Sequence, residues 1–208
     1  RERELATLHH ELAPLPPRSR GKAPEETLEF DNGFGAFAAD GTEYLIRLEP
    51  ESEGLRLPPR PWTNVIANRR FGCLLSETGA GSTWFENSRE HRITPWRNDP
   101  VLDPHDEAFY LLDEVSGKRA SVFPGPIPMK VPYEVRHGFG YTTVRHGALG
   151  LETEAVTFVA EREPYKVTRI RIHNPGPEER RVSVMGLARL VMGPSTGLPE
   201  RHIVTEIG

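Results

Sequence analysis

The sequence predicts an all-β protein, a large antiparallel β-sandwich preceded by one short N-terminal helix. Its 19 glycines and 20 prolines interrupt the 208 residues too often for long helices. About a dozen short segments show the strand patterns of a sheet protein, and turn sequences separate them at short intervals. Because no helical pattern lies between consecutive strands, parallel βαβ units are excluded. A closed barrel is the alternative architecture, and no fixed-period repeat indicates a propeller or a solenoid.

A helical pattern occurs in the first twelve residues of the sequence. Leu5, Leu8 and Leu12 are spaced at i, i+3 and i+7, which places them on one face of a helix. The proline-rich residues 14–17 end this helix, because proline lacks the amide hydrogen and clashes with the preceding turn. The polar, proline- and glycine-containing stretch that follows is typical of a linker.

The change of pattern near residue 28 predicts a division of the chain into two parts. Residues 1–27 are interpreted as a helix and linker from a preceding region, and residues 28–208 as the β-sandwich domain. The sequence begins Arg-Glu-Arg-Glu, with neither an initiator methionine nor the apolar stretch of a signal peptide. We therefore expect the chain to be a piece of a larger protein.

The sandwich region contains a series of short strand patterns. In chain order, the predicted strands lie near residues 34–38, 43–49, 65–77, 83–85, 108–113, 121–123, 133–137, 141–145, 151–160, 167–172, 181–191 and 203–207. Asp40-Gly41, between the first two, is a strong hairpin signal because both residues tolerate positive φ. The segment at 65–77 is predicted as one apolar strand that presents Phe71, Cys73 and Leu75 on one face.

The composition argues against several classes of function. The formal net charge is −4, so the chain has no basic field to hold a nucleic acid backbone. No apolar run approaches the roughly 18–20 residues that cross a bilayer. The lone cysteine, Cys73, forms no intramolecular disulfide, and the eight histidines show no metal-ligand spacing. No metal or cofactor is therefore expected, and no GxSxG elbow supports acyl chemistry.

The long stretch between residues 88 and 106 is polar, carries aromatic residues and shows little periodicity. Long loops of this kind in compact domains are often functional. A tryptophan face packs on the C–H face of a pyranose, while amide, carboxylate and guanidinium groups bond its hydroxyls. From the residues alone, a sugar site and a loop anchored against another domain are equally good interpretations.

Carboxylates of the kind that cleave glycosidic bonds are plentiful in and near this stretch, but the sequence does not pair them. They are Glu86, Asp99, Asp103, Asp106, Glu107 and Asp113. Solvated loop charge is the simpler interpretation of most of them.

Four blocks of the sequence resemble a known family. They are NGFGAFAADGTEYLI at residues 32–46, PWTNVIAN at 61–68, WFENSREHRITPWRNDPVLDP at 84–104 and RHGFGYT at 136–142. In this order they are similar to the N-terminal domain of glycoside hydrolase family 94, formerly the glycosyltransferase 36 family. The likeness is strongest to the phosphorylase-like region of cyclic β-1,2-glucan synthases.

The resemblance implies a super-sandwich that, in the family, is followed by a helical linker and an (α/α)6 barrel carrying the catalytic acid. The family reaction is inverting phosphorolysis, in which inorganic phosphate attacks the anomeric carbon while an aspartic acid protonates the leaving oxygen. Since the sequence shows no run of paired amphipathic helices, no catalytic residue is carried over, and we expect the chain alone to be inactive. Phosphate is then a co-substrate of the parent enzyme, and this chain needs no cofactor.

The resemblance also suggests substrate-contacting residues, because loops of the family's sandwich approach the active-site entrance of the barrel, in some members across a dimer. The residues so indicated are Arg60, Trp62, Asn64, Arg89, Trp96, Asn98, Asp99, His137 and Tyr141. Arg60 stands where cellobiose phosphorylases have a tyrosine before the Pro-Trp pair, so a shared sugar contact at that position does not follow.

Three functions are compatible with these observations. The first is a non-catalytic domain of a family 94 type enzyme that acts on β-glucans, by phosphorolysis or by control of β-1,2-glucan chain length. The second is an independent carbohydrate-binding module for β-glucan, and the third is a structural domain that docks the catalytic domain and mediates dimerisation. The expected partners are a β-glucan oligosaccharide, the parent's catalytic domain and a second copy of the chain. The expected location is the cytoplasm or the cytosolic part of an inner-membrane protein, without membrane insertion by this segment.

Overall fold

The structure is a computed structural model that describes residues 27–194 together with Ile203, Val204 and Glu206. The helix predicted in residues 1–12 lies outside the described residues. Of the strand predicted at 203–207, residues 203, 204 and 206 are described, and they are not in a strand. The described residues contain thirteen strands and no helix. The strands are β1 (Leu28–Glu29), β2 (Gly35–Ala38), β3 (Glu43–Leu48), β4 (Thr63–Ala67), β5 (Phe71–Ser76), β6 (Gly81–Phe85), β7 (Glu107–Asp113), β8 (Arg119–Ser121), β9 (Tyr133–Gly138), β10 (Tyr141–Ala148), β11 (Leu151–Val159), β12 (Lys166–His173) and β13 (Val182–Ala188).

The strands form one large sheet and two small ones, and all of their pairings are antiparallel. The large sheet has seven strands in the order β1-β2-β3-β9-β10-β11-β12. The small sheets have three strands each, in the orders β13-β7-β8 and β4-β5-β6. Since β1 and β12 lie at opposite edges of the large sheet, that sheet is open, and the described residues do not form the closed barrel.

The main hydrophobic core lies between the large sheet and the two small sheets. Ile46, Tyr133 and Val144 contribute to it from the large sheet, and Leu75 and Leu111 contribute from the small sheets. Each of these side chains is at most 5% exposed. Two layers of sheet around one core are the arrangement of a sandwich. The prediction of an all-β protein built from antiparallel sheets is therefore confirmed.

Tight turns join neighbouring strands at the residues that the sequence indicates. Between β2 and β3, Asp40 Oδ1 accepts hydrogen bonds from the amide and the hydroxyl of Thr42, at 3.0 and 2.8 Å. Gly41 in this turn has a φ of +70°, a conformation that glycine adopts without steric cost. Between β7 and β8, Asp113 Oδ1 accepts a hydrogen bond from the amide of Ser116 at 3.1 Å.

One predicted strand is two strands in the structure. Residues 65–77 contain the end of β4, a turn and β5. The turn is made by Asn68, whose Oδ1 accepts hydrogen bonds from the amides of Arg70 and Phe71, both at 2.8 Å. A side chain that mimics a backbone turn in this way reverses the chain, but the apolar residues on either side hide it in a hydrophobicity pattern. Phe71 and Cys73 in β5 are buried as predicted.

Candidate functional site

A groove of about 230 Å³ lies beside the small sheet formed by β4, β5 and β6. The stretch at residues 94–106, between β6 and β7, contributes most of its lining, and we call this stretch the groove loop. The rest of the lining comes from Arg60, Pro61, Thr63, Leu74, Ala80 and Gly81. The groove is thus built from a long loop laid over the ends of a hairpin.

Four of the nine substrate-contacting residues suggested by the sequence line this groove, namely Arg60, Trp96, Asn98 and Asp99. The side chain of Trp96 is 47% exposed. Arg60 and Asn98 are exposed, and within the described part of the chain neither side chain has a hydrogen-bond or ion-pair partner. The groove therefore presents an aromatic face together with uncommitted hydrogen-bond donors.

The backbone around Asn98 and Asp99 is held in a defined turn. Asp99 Oδ1 accepts hydrogen bonds from the amides of Val101 and Leu102, at 2.9 and 3.0 Å. These hydrogen bonds, from Leu102 and then Val101, lower the pKa of Asp99, so its carboxyl group is ionised at neutral pH. Asn98 has a φ of +47°, in the left-handed region that asparagine tolerates better than most residues.

Asp103, near the end of the groove loop, fixes that loop to the hairpin between β5 and β6. Its Oδ2 accepts hydrogen bonds from the hydroxyls of Ser76 and Thr78, at 2.7 and 2.5 Å. The Thr78 hydroxyl also lies 3.2 Å from Nε2 of His105. The sequence indicated Asp103 only as one of several loop carboxylates. Its partners lie 27 and 25 positions away along the chain, a separation that no local pattern reveals.

Arg97 and Asp106 form an ion pair across the groove loop, a pairing that no local sequence pattern indicates. The guanidinium makes two hydrogen bonds to the carboxylate, at 2.7 and 3.0 Å. A two-point contact of this kind fixes the relative orientation of both groups. The Arg97 side chain is 30% exposed and that of Asp106 is 9% exposed, so solvent screens the pair less than a pair at the open surface.

Trp62, Asn64, His137 and Tyr141 form a separate group between β4 and the β9–β10 hairpin. Nε2 of His137 donates a hydrogen bond to the carbonyl of Trp62 at 3.0 Å, because a carbonyl can only accept. Nδ1 of His137 then accepts one from the hydroxyl of Thr142, also at 3.0 Å. Burial lowers the pKa of His137 despite the opposing effect of the bond to Trp62, so the ring is neutral at pH 7.

Asn64 and Tyr141 are likewise bound within the protein. Asn64 Nδ2 donates to the carbonyls of Gly138 and Tyr141, at 3.0 and 2.8 Å. The Tyr141 hydroxyl donates to Glu43 Oε1 at 2.5 Å, and burial together with this bond raises the pKa of Tyr141 to about 12. The group of Trp62, Asn64, His137 and Tyr141 does not line the groove, and its hydrogen bonds join β4 to the large sheet.

Arg89 belongs to neither group. Its side chain is 84% exposed, and its Nε lies 3.2 Å from Glu90 Oε1, a surface pair that contributes little to stability. The backbone there is shaped by Asn87, whose Oδ1 accepts hydrogen bonds from the amides of Arg89 and Glu90, both at 2.9 Å. Arg89 does not line the groove.

Two further features of the molecule bear on its chemistry. Within residues 27–194 and the three described residues beyond them, no group of three or more His, Cys, Asp or Glu side chains is arranged to hold a metal ion. The same part of the chain contains no helix of the length and apolarity that a membrane span requires.

The antiparallel sheets and their tryptophan-bearing groove define a β-sandwich domain with a polar surface depression. Comparison with known protein families identifies the family to which this domain belongs. Residues 42–207 match the family model described as the glycosyl hydrolase 94 supersandwich domain. The chain therefore belongs to this family, as the four sequence blocks indicated.

Relatives with known names show the same affiliation. The chain is 37% identical over 180 residues to the cyclic beta-(1,2)-glucan synthase NdvB of Rhizobium meliloti (strain 1021), a match that covers 86% of this chain and 6% of that protein. It is 28% identical to the N,N'-diacetylchitobiose phosphorylase of Vibrio furnissii, over 74% of this chain and 19% of that enzyme. It is 27% identical to the solabiose phosphorylase of Paenibacillus borealis, over 73% of this chain and 19% of that enzyme. The chain thus spans less than a fifth of the length of each of these relatives.

Proposed function

We propose that this chain is a non-catalytic supersandwich domain of a larger family 94 type enzyme that acts on β-glucans. The parent enzyme carries out inverting phosphorolysis, with inorganic phosphate as co-substrate, or controls the chain length of β-1,2-glucan. The domain packs on the parent's (α/α)6 catalytic domain and shapes the entrance of its active site. The observation that carries this proposal is the groove, in which Trp96, Arg60 and Asn98 meet beside an ionised Asp99.

The chemistry of the groove suits a neutral sugar chain. The half-exposed indole of Trp96 offers a face for the C–H side of a glucose ring. The uncommitted guanidinium of Arg60 and the amide of Asn98 offer donors for hydroxyl groups, and the carboxylate of Asp99 offers an acceptor. A site with one aromatic platform and a few polar groups is typical of small-molecule recognition.

The carboxyl groups of the groove support a binding role and not an acid–base role. A glycosidic general acid needs a raised pKa so that it holds its proton at neutral pH. Asp99 has a lowered pKa instead, and Asp103 accepts two hydroxyl hydrogen bonds. Glu77 does have a raised pKa, of about 7, but it is only 2% exposed and does not line the groove.

The relatives support different parts of this proposal. The Rhizobium relative is a cyclic β-(1,2)-glucan synthase, which supports β-glucan as the substrate. The other two relatives are phosphorylases, which supports phosphorolysis as the reaction. We further propose that residues 28–208 form the sandwich domain and that residues 1–27 connect it to a preceding region. By the same reasoning the parent is cytoplasmic or the cytosolic part of an inner-membrane protein, and its domains assemble with each other and in a homodimer.

The absence of catalysis by this chain alone is tested with β-1,2-gluco-oligosaccharides and inorganic phosphate. We supply them to this chain and to a longer protein that continues through a family 94 catalytic domain. The proposal predicts glucose 1-phosphate from the longer protein and none from this chain. Release of glucose 1-phosphate by this chain alone would overturn the proposal. If neither protein releases glucose 1-phosphate, phosphorolysis is excluded as the parent's reaction on these oligosaccharides.

An independent carbohydrate-binding module is the second proposal, and the exposed Trp96 in a defined groove favours it. The two proposals differ in what the isolated chain does. A module that works alone binds oligosaccharide as tightly by itself as within a longer protein. A domain that only shapes an entrance binds much more weakly by itself, because the catalytic domain supplies the remaining contacts.

A further inference from the structure

A partly buried ion pair between Glu107 and Lys166 joins all three sheets of the molecule. Glu107 begins β7, and Lys166 begins β12 at the edge of the large sheet. Lys166 also donates a hydrogen bond to the hydroxyl of Thr83 in β6, at 2.8 Å. The side chains of Lys166 and Glu107 are 18% and 13% exposed. These contacts therefore connect the large sheet, which forms one layer of the sandwich, to both small sheets, which form the other layer.

This ion pair also holds the beginning of the groove loop. Oε1 of Glu107 accepts hydrogen bonds from the hydroxyls of Thr94 and Thr83, at 2.5 and 2.6 Å. The Thr94 hydroxyl in turn accepts a hydrogen bond from the amide of Thr83 at 2.8 Å. Thr94 is the first residue of the groove loop, it is 2% exposed, and Trp96 lies two positions further along the chain. The network therefore ends beside the aromatic residue of the groove.

The end of the groove loop converges on the same place. Asp106, the last residue of the loop, precedes Glu107 and makes the two-point ion pair with Arg97. The carbonyl of Asp106 accepts a hydrogen bond from the amide of Arg189 at 2.8 Å. The end of the loop is thus held by Arg97 within the loop and by Arg189, which directly follows β13 and is distant in sequence.

We propose that Lys166 and Glu107 are positioning residues for the groove, because their partly buried ion pair fixes the base of the groove loop and thereby the orientation of Trp96. The effect on sugar binding rests on the proposed function, whereas the effect on Trp96 does not. A preorganised loop binds more tightly because less conformational freedom is lost when the ligand arrives. Removing Lys166 alone leaves a buried carboxylate without its cation, which forces the network to rearrange.

The electrostatics of Glu107 agree with this assignment. Burial alone would raise the pKa of Glu107, but the charge of Lys166 and the hydrogen bonds from Lys166, Thr83 and Thr94 outweigh it and lower that pKa. Glu107 is therefore ionised across the physiological range and serves as a permanent acceptor for the Thr94 hydroxyl.

The test uses the chain labelled with 5-fluorotryptophan and observed by ¹⁹F NMR, with W96F to assign the resonance of Trp96. The variants are Lys166→Met, Thr94→Val as a milder change that keeps the ion pair, and Lys166→Arg as a conservative replacement. The matched control is Arg180→Met, which breaks another partly buried ion pair, between Arg180 and Asp113 at the β7–β8 turn. Only a change at the groove loop should move the Trp96 signal.

We expect K166M and T94V to shift or broaden the Trp96 resonance without added sugar, and K166R to restore it in part. We expect R180M to lower the melting temperature and to leave that resonance unchanged. In the presence of β-1,2-gluco-oligosaccharide, K166M should weaken binding about fivefold, the scale on which lost preorganisation acts. A Trp96 resonance in K166M and T94V that matches the unsubstituted chain would overturn the inference, as would an equal change in R180M. If the unsubstituted chain binds no sugar, the proposed function fails while the Trp96 resonance still decides the inference.

Discussion

The carboxylate of Glu77 accepts a hydrogen bond from the backbone amide of Trp62 at 2.7 Å, and the Glu77 amide donates to the Trp62 carbonyl at 3.1 Å. This two-way contact ties the entry of β4 to the end of β5. Burial raises the pKa of Glu77 to about 7, against the lowering effect of the backbone hydrogen bonds and with a smaller contribution from nearby Asp103. The carboxyl group is therefore half-protonated near neutral pH.

Glu77 should make the stability of the protein depend on pH. The folded-state pKa of about 7 lies above the ordinary value of 4.5, so the folded protein binds this proton more tightly than the unfolded chain. This stabilisation is complete below pH 4.5, and it is lost as the pH rises through about 7. The total change is on the order of 3 kcal/mol. Glu77→Gln should remove it, as measured by urea unfolding across this pH range.

The control for this experiment is Glu53→Gln, which alters an exposed glutamate. We expect its pH profile to match that of the unsubstituted chain. Equal pH slopes for E77Q and the unsubstituted chain would show that Glu77 does not titrate in this window.

Thr153 carries a buried hydroxyl without a hydrogen-bond partner within the described residues, and it lies directly opposite His146 in the β10–β11 pairing. Thr153→Val should stabilise the protein by about 1 kcal/mol, because an unsatisfied polar group is replaced by a methyl group of similar shape. Thr157→Val is the matched control on the same strand and face. It removes a hydroxyl that lies 3.1 Å from that of Thr168, and it should destabilise by a similar amount. Thermal unfolding of the two variants measures this, and a lower melting temperature for T153V would contradict the prediction.

Cys73 should be inert in the folded protein. Its side chain is 1% exposed, and burial raises the pKa of its thiol to about 11, so the reactive thiolate is scarce at neutral pH. Because it is the sole cysteine, labelling with a thiol reagent reports on it alone. We expect labelling only under unfolding conditions. Rapid, stoichiometric labelling of the native chain would show that β5 is not buried in solution.

The outer strand β13 should make the isolated chain associate with itself. Within the described residues, β13 pairs with β7 on one side and forms the edge of its small sheet, and Val184, Met185 and Leu187 are 47%, 46% and 51% exposed. An exposed apolar edge strand is a template for pairing with another chain. Leu187→Lys should weaken self-association about tenfold, the effect of losing one buried leucine. Analytical ultracentrifugation measures this.

The matched control for the edge strand is Val115→Lys, since Val115 is 84% exposed in the turn between β7 and β8. It should leave self-association unchanged. An unsubstituted chain that is monomeric at all concentrations tested would contradict the role assigned to β13.

Much of the fold was predictable because strand alternation and turn residues are local signals. The Asp40-Gly41 hairpin and the position of β11 follow from neighbouring residues alone. The turn at Asn68 was missed, since a polar side chain that bonds its own backbone leaves no trace in a hydrophobicity pattern. The packing of two small sheets against one large sheet depends on contacts between distant strands, which a single sequence does not reveal.

The residues alone indicated only those members of the candidate site that are neighbours in sequence, whereas Arg60 was suggested by resemblance. Trp96, Asn98 and Asp99 come from one polar loop, so their composition indicated them together. Asn64 and His137 were suggested by resemblance. Alternation along a strand predicts the face of the sheet on which a side chain lies, but it does not predict which residues cover that face. In the structure their polar atoms meet other strands. Lys166 gave no signal at all, because its partner lies 59 positions away.

The most direct test of the account is a titration of the ¹⁵N-labelled chain with β-1,2-gluco-oligosaccharide, followed by NMR for the unsubstituted protein and for Trp96→Ala. The account predicts weak, saturable shift changes confined to the groove loop and to the residues around Arg60, and their loss in W96A. Shift changes centred elsewhere would contradict the account. The absence of shift changes at the groove with ligand at ~10 mM would also contradict it, because this concentration detects even a binding free energy of about −4 kcal/mol.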